Sequence, residues 1–441
     1  MNAYSVEADA IHSTLGRYLL TDGFHIAIDL ERSHGSWIVD AGSGREILDF
    51  YSYFATLPVG HNHPAMAGDE EFMAALTRAA LANPSNSDIY TAEYAAFVDS
   101  FARLAVPPTF SYLFFVAGGA LAVENALKTA FDWKRRANLA VGRADAGSQI
   151  IHFREAFHGR SGYTLSLTNT DPIKTEAFPQ FEWPRITNPK LSFPVTPEVI
   201  ARTDELEATA VTEIERAFAD NPHDIAAIII EPIQGEGGDN HFRASFFSEL
   251  RRLADEHDAL LIFDEVQTGV GLTGRMWAYQ HFGIDPDICV FGKKTQVCGI
   301  MASERIDEVE GHVFATPGRI NSTWGGNLVD MVRAVKYLEI IHSEGLVDNA
   351  ARMGDRLLAG LEELATRHQG VSNVRGRGLF GAFTLPTVKQ RDRLRAELWR
   401  LGLATLASWP TSVRFRPCLN VSAEEIDGAL QRLDDGLSAL E

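Results

Sequence analysis

Three short apolar runs in this chain each deliver a polar group. Ala226-Ala227-Ile228-Ile229-Ile230 ends at Glu231, Ala259-Leu260-Leu261-Ile262-Phe263 ends at Asp264, and Ile288-Cys289-Val290-Phe291 ends at Gly292 and Lys293. A carboxylate at one strand end followed by an amine at the next is the pair that pyridoxal-phosphate chemistry needs. The amine can form an imine with the cofactor aldehyde. The carboxylate can keep the pyridine nitrogen protonated, so that the ring accepts electrons from a carbanion. Lys294 is a second candidate amine, and because neighbouring strand residues point to opposite faces only one of the two can serve.

Those residues need a scaffold that brings strand ends together. Asp264 follows Glu231 by 33 residues and Lys293 follows Asp264 by 29, room for a crossover helix between parallel neighbours. Phe246, Phe247, Leu250, Leu253 and Ala254 give one such helix an apolar face. In open α/β sheets ligands bind outside the carboxyl ends of the strands, so Asp264 and Lys293 are expected to face one cleft. A second approach to it comes from residues 114–125, where a strand, the pair Gly118-Gly119 and a helix follow in order. Backbone N–H groups at such a helix start hold phosphate.

Around this core, residues 35–55 read as a small antiparallel hairpin with its turn at Asp40-Ala41-Gly42. From about residue 90 onward apolar runs alternate with helical-period segments, the pattern of a buried, mostly parallel sheet. After Gly325-Gly326 come two helices, roughly 327–343 and 346–367. Strands at 378–385 and 412–415 then flank a helix near 388–400, and Ser422-Ala423-Glu424-Glu425 forms a capping box that opens the last helix. The expected organisation is an N-terminal arm and hairpin (1–60) belonging to a small domain, a large cofactor-binding domain (61–325) and a C-terminal small α+β domain (326–441).

Composition agrees with a globular enzyme: 441 residues, 45% hydrophobic and 22% charged, enough chain for one large core and a smaller one. The net charge of -19 repels polyanions, which excludes nucleic acid as a natural partner. Glu7 and Asp9 occupy the place where a signal peptide would be basic, and no uncharged apolar run approaches the ~18 residues of a membrane helix. The expected location is therefore the cytoplasm. Cys289, Cys298 and Cys418 form no paired motif and read as reduced thiols, and the 14 histidines show no metal-binding spacing. Gly269-Val270-Gly271-Leu272-Thr273-Gly274 formally fits a dinucleotide loop, but no acidic residue stands at a strand end ~20 residues later.

From Val59-Gly60-His61-Asn62-His63-Pro64 to Arg414 the chain resembles the class III aminotransferases of PLP fold type I, the group that includes enzymes for ornithine, 4-aminobutyrate and lysine. The stretches FGKKTQVCGIMA and RINSTWGGN resemble the lysine-using members most. That resemblance implies pyridoxal 5'-phosphate as cofactor, L-lysine as amino donor, 2-oxoglutarate as acceptor, and a homodimer with shared active sites. The family's Asp-Glu-Val-Gln motif matches Asp264 to Gln267, and its spacing selects Lys293 over Lys294. It further implies that Gly119 and Ala120 offer N–H groups to the phosphate, with Ala120 standing where a hydroxyl residue is usual. Thr323, with Ser322 nearby, would reach the phosphate of the neighbouring subunit. Phe157 and Val266 would cover the two ring faces, Gln267 would bond the phenolic oxygen, and Glu231 would support the site from behind. Arg160 would grip the donor's carboxylate, and Asn321 belongs to the stretch that marks lysine as donor. Arg414 would bind the α-carboxylate of 2-oxoglutarate and be masked by Glu236 during the donor half-reaction, while Arg416, two residues along the same strand, competes with it for that role.

Overall fold

The three apolar runs become neighbouring strands of one seven-stranded sheet in the computed structural model, which describes residues 4–143 and 145–440. In chain order its strands are β1 (Phe110–Val116), β2 (Gln149–Phe153), β3 (Arg185–Ile186), β4 (Ile225–Ile230), β5 (Leu260–Asp264), β6 (Ile288–Phe291) and β7 (Cys298–Ser303). They lie side by side as β1-β7-β6-β5-β4-β2-β3. All neighbours are parallel except β7, which runs antiparallel to both β1 and β6.

The uninterrupted apolar character of β4 to β6 follows from burial on both faces. Ile228, Ile230, Leu261 and Phe263 point into one core with Phe246, Phe247, Leu250, Leu253 and Ala254 of helix Ala244–Glu256. Ala227, Ile229, Leu260 and Ile262 point into the other, against Ala122, Val123, Ala126, Leu127 and Ala130 of helix Gly119–Ala140. The expected crossover helix is thus present with all five of its apolar residues buried.

Two smaller sheets sit beside this one. The hairpin strands Trp37–Val39 and Glu46–Asp49 pair antiparallel, and the second also pairs in parallel with Leu403–Ala404. The N-terminal segment is thereby bonded to the C-terminal third. A four-stranded antiparallel sheet runs in the order Ser372–Arg377, Phe380–Thr384, Ser412–Phe415, Leu406–Ser408. The expected single strand from residue 378 is instead the return arm of a hairpin: Gly378 has φ +54, and a Cβ there would lie 2.5 Å from the Thr273 carbonyl carbon. Helices Leu328–Ser343, Leu346–Arg367, Val388–Arg400 and Ala423–Ser438 fall where periodicity predicts, the last with its Ser422/Glu425 capping box formed.

The glycine-rich stretch 269–274 opens no helix. Its glycines permit close packing instead, since a Cβ on Gly274 would come 2.9 Å from the Ala351 Cβ on helix Leu346–Arg367. Among the described residues no helix is long and apolar enough to cross a membrane, and no three potential ligands cluster as a metal site.

Candidate active site

A cavity of about 520 Å³ opens at the carboxyl ends of β4, β5 and β6. Glu231, Asp264 and Lys293 all line it, so the three strand-end groups do converge. Lys293 sits in the short link between β6 and β7 with left-handed backbone, φ 54. Burial, with Arg414 nearby, lowers its amine to about 8, and its Nζ lies 5.8 Å from the Phe54 ring centroid. Lys294 turns away from the cavity. Its Nζ donates to the Ala55 carbonyl at 2.9 Å, and burial holds its pKa well below the usual lysine range.

Asp264 is buried at the end of β5, and its Oδ2 lies 2.8 Å from His158 Nδ1. Burial works against a charge on that imidazole, but the Asp264 and Glu231 carboxylates outweigh it and raise the histidine's pKa. Asp264 therefore has an imidazole partner on Oδ2, while its Oδ1 accepts from the Val266 N–H at 3.1 Å. Glu231, buried, accepts from the Phe157 N–H at 2.9 Å and the Gly235 N–H at 3.0 Å. Burial raises its pKa to about 7 despite His158.

The opposite wall is the start of helix Gly119–Ala140, where Gly119 and Ala120 line the cavity. Gly118 precedes it at φ 106, no side chain caps it, and its first turn holds no acid, which leaves the first N–H groups free for an anion. A Cβ on Gly119 would lie 3.1 Å from Val266 Cγ1, and one on Gly159 2.7 Å from the Ala120 Cβ. The cradle is thus built by close backbone approach. Val266, Phe157 and Gln267 also line the cavity.

Two arginines differ sharply in their surroundings. Arg160 is exposed at the cavity and has no ion-pair partner among the described residues. Arg414 is 1% exposed; its Nη2 lies 2.7 Å from Glu236 Oε2 and its Nη1 3.3 Å from Gln267 Oε1, while its Nε has no partner among the described residues. Arg416 does not reach the cavity: it is fully buried, 2.6 Å from Asp239 and stacked on Phe380. Its Nη2 also donates to Gln267 Oε1 at 3.1 Å. With that oxygen occupied, the Gln267 NH2 group is left to face a ligand.

Asn321, Ser322 and Thr323 are not brought into this cavity. They lie on a more exposed segment where the Thr323 carbonyl accepts from Ser85 Oγ at 2.6 Å. Conversely, Phe54 and Lys174 line the cavity without having been singled out from sequence. Nothing local marks them, because Phe54 belongs to the distant N-terminal segment and Lys174 is identified only by its contact with Glu236.

The family model for class-III aminotransferases matches residues 20–437. The chain belongs to this family. Among relatives, the class-III aminotransferase described here is 54% identical over 431 residues to the L-lysine-epsilon aminotransferase of Mycobacterium tuberculosis (strain H37Rv), covering 97% of this chain and 95% of that one. It is 47% identical to the protein of the same description from Streptomyces clavuligerus, over 99% and 96% of the two chains. A solved structure of lysine aminotransferase from M. tuberculosis superposes with a TM-score of 0.97 at 52% identity, over 99% of this chain and 100% of that one. Class-III aminotransferases work with pyridoxal phosphate, and the cavity of this one fits it. The uncapped helix start suits the phosphate, the His158-backed Asp264 suits the pyridine nitrogen, and a lysine with lowered pKa lines the same cavity.

Proposed function

We propose that this class-III aminotransferase moves the ε-amino group of L-lysine to 2-oxoglutarate, giving 2-aminoadipate 6-semialdehyde, which cyclises to piperideine-6-carboxylate, and L-glutamate. The observation that carries the reading is the contrast between Arg160, unpaired at the cavity, and Arg414, paired with Glu236 inside it. Identity of 54% to a curated L-lysine-epsilon aminotransferase supports lysine as the donor.

Pyridoxal phosphate, when bound, supplies a carbonyl carbon that exchanges its nitrogen partner and a ring that accepts the electron pair left by a departing proton. Gly119 and Ala120 would hold the phosphate by their N–H groups, Phe157 and Val266 would enclose the ring, Gln267 would donate to its phenolic oxygen, and Asp264 would keep its nitrogen protonated. Lys293 at about 8 keeps a neutral fraction near physiological pH, as a nucleophile must. Its Nζ then takes a proton from the donor's terminal carbon, and in the second half-reaction delivers one to the carbon that becomes the α-carbon of glutamate.

Arg160 binds the carboxylate far from the reacting end. Lysine presents its amine with no charge near Arg414, so Glu236 stays on that arginine. The α-carboxylate of 2-oxoglutarate must lie beside the reacting carbon, and it replaces Glu236 on Arg414.

The working unit we propose is a homodimer with shared sites. Thr323, Ser322 and Asn321 stand outside their own chain's cavity, and Phe54, Leu121 and Trp324 are 47%, 45% and 49% exposed, apolar surface suited to a second copy. We further propose the three-part division at residues 60 and 325, supported by the pairing of the hairpin with Leu403–Ala404, and a cytoplasmic location, which suits three unpaired buried cysteines. The direct test is to give the holoenzyme lysine, ornithine, 4-aminobutyrate and cadaverine separately, follow the cofactor absorbance and identify each released aldehyde by mass spectrometry. Lysine should react with the highest kcat/KM and yield the cyclising semialdehyde; a faster reaction with another donor overturns the assignment.

A further inference from the structure

Glu236 is held by two cations, one on each oxygen. Arg414 Nη2 takes Oε2 at 2.7 Å, and Lys174 Nζ takes Oε1 at 2.5 Å. The cations come from different parts of the chain. Arg414 is on strand Ser412–Phe415, whereas Lys174 closes the short turn Pro172–Lys174, whose start is fixed by the Asp171 side chain accepting from the Ile173 N–H. Lys174 is steadied further by Thr170 Oγ1 at 3.4 Å and by the Phe157 ring, with 5.5 Å from Nζ to the centroid. It lines the cavity beside Arg160 and Glu236, and neither the family motifs nor the strand-end pattern accounts for it.

We propose that Lys174 is a positioning residue for the Glu236–Arg414 gate: it retains Glu236 when Arg414 lets go, and so sets the cost of admitting the α-carboxylate of the oxo-acid substrate. The inference rests on the assignment of Glu236 and Arg414 as that gate. A carboxylate withdrawn from water and stripped of its partner is costly. With Lys174 present, Glu236 exchanges two cations for one on opening; without it, one cation is exchanged for none. Loss of Lys174 therefore biases the pair toward the closed state, which the lysine half-reaction uses and the 2-oxoglutarate half-reaction must leave.

The test uses the holoenzyme with Lys174→Met, Lys174→Arg, Glu236→Ala and the Lys174→Met/Glu236→Ala double variant. Each half-reaction is measured separately from the cofactor absorbance, and binding of glutarate, a non-reacting dicarboxylate of the same length as 2-oxoglutarate, is measured by calorimetry. For Lys174→Met the expected result is a rise of about tenfold in KM for 2-oxoglutarate and in Kd for glutarate. The ratio of the two half-reaction efficiencies should shift by roughly fivefold or more against the oxo acid. Lys174→Arg should recover most of this, and in the Glu236→Ala background the Lys174→Met shift should vanish. Equal losses in both half-reactions, no loss in either, or a shift that persists without Glu236 each overturn the proposal. Failure of the gate assignment itself looks different: Glu236→Ala alone would then leave the ratio of the half-reactions unchanged.

Discussion

At the scale of single residues, burial of Lys293 ties chemistry to stability. Its folded pKa of about 8 lies below the ordinary 10.5, so between those values the unfolded chain binds more protons and the cofactor-free protein gains stability as pH rises. Below about 8 the amine is charged in both states, and the full penalty of burying it is present. Lys293→Met should therefore melt higher than the parent at pH 7 in the cofactor-free form, and calorimetry from pH 7 to 10 should show that advantage shrinking. Arg160 has no ion-pair partner among the described residues, so its replacement is expected to act on substrate. Arg160→Ala should cut kcat/KM for lysine by about a hundredfold, the size expected for a charge-assisted carboxylate contact, and leave the half-reaction with cadaverine, which has no carboxylate, nearly unaffected when it is followed alone from the cofactor absorbance. Strand-end residues such as Asp264 and Lys293 were legible in the sequence because an apolar run points at them. Lys174 was not, since its meaning depends on Glu236, 62 residues away.

At the scale of elements, the proposed phosphate cradle is the helix start at Gly119, which lines the cavity. Ala120 brings an N–H but no hydroxyl to an uncapped first turn. Ala120→Ser should add a donor and tighten cofactor binding by about three- to tenfold, read as the dissociation constant on titrating the cofactor-free protein. On the other face of the sheet, Leu250→Ala should cost about 2–5 kcal/mol in chemical denaturation, because that side chain is fully buried between β4, β5 and its own helix. The parallel strands were readable because burial on both faces demands continuous apolar residues. Strand Ser372–Arg377 was not: its sequence is SNVRGR, and it is fixed by tertiary contacts in which Arg375 Nε donates to the Asp239 carbonyl at 2.9 Å. No local pattern announces that. The antiparallel turn of β7 was likewise hidden, since apolar residues alone do not state a direction.

For the whole molecule, two sheets and an N-terminal segment, drawn from distant parts of the chain, meet around one cavity. The pairing of Arg414 with Ala382 carries that arginine in from the C-terminal part, and the N-terminal segment contributes Phe54. Thr323 does not line the active-site cavity of its own chain, which makes a shared dimer testable by complementation. Lys293→Ala and Thr323→Ala, each impaired alone, should regain activity when mixed under conditions of subunit exchange. Randomly mixed dimers would carry about a quarter of their sites intact, and no recovery on mixing would speak against sharing. The link that bears Lys293 is clamped at both ends, because β6 and β7 are hydrogen-bonded neighbours. An amine on so short a leash cannot diffuse away when a substrate displaces it. It samples only a small volume above the strand ends, at a local concentration no free base in solution could match, so the same nitrogen that gives up its place to the incoming donor is still within reach when the proton has to be moved.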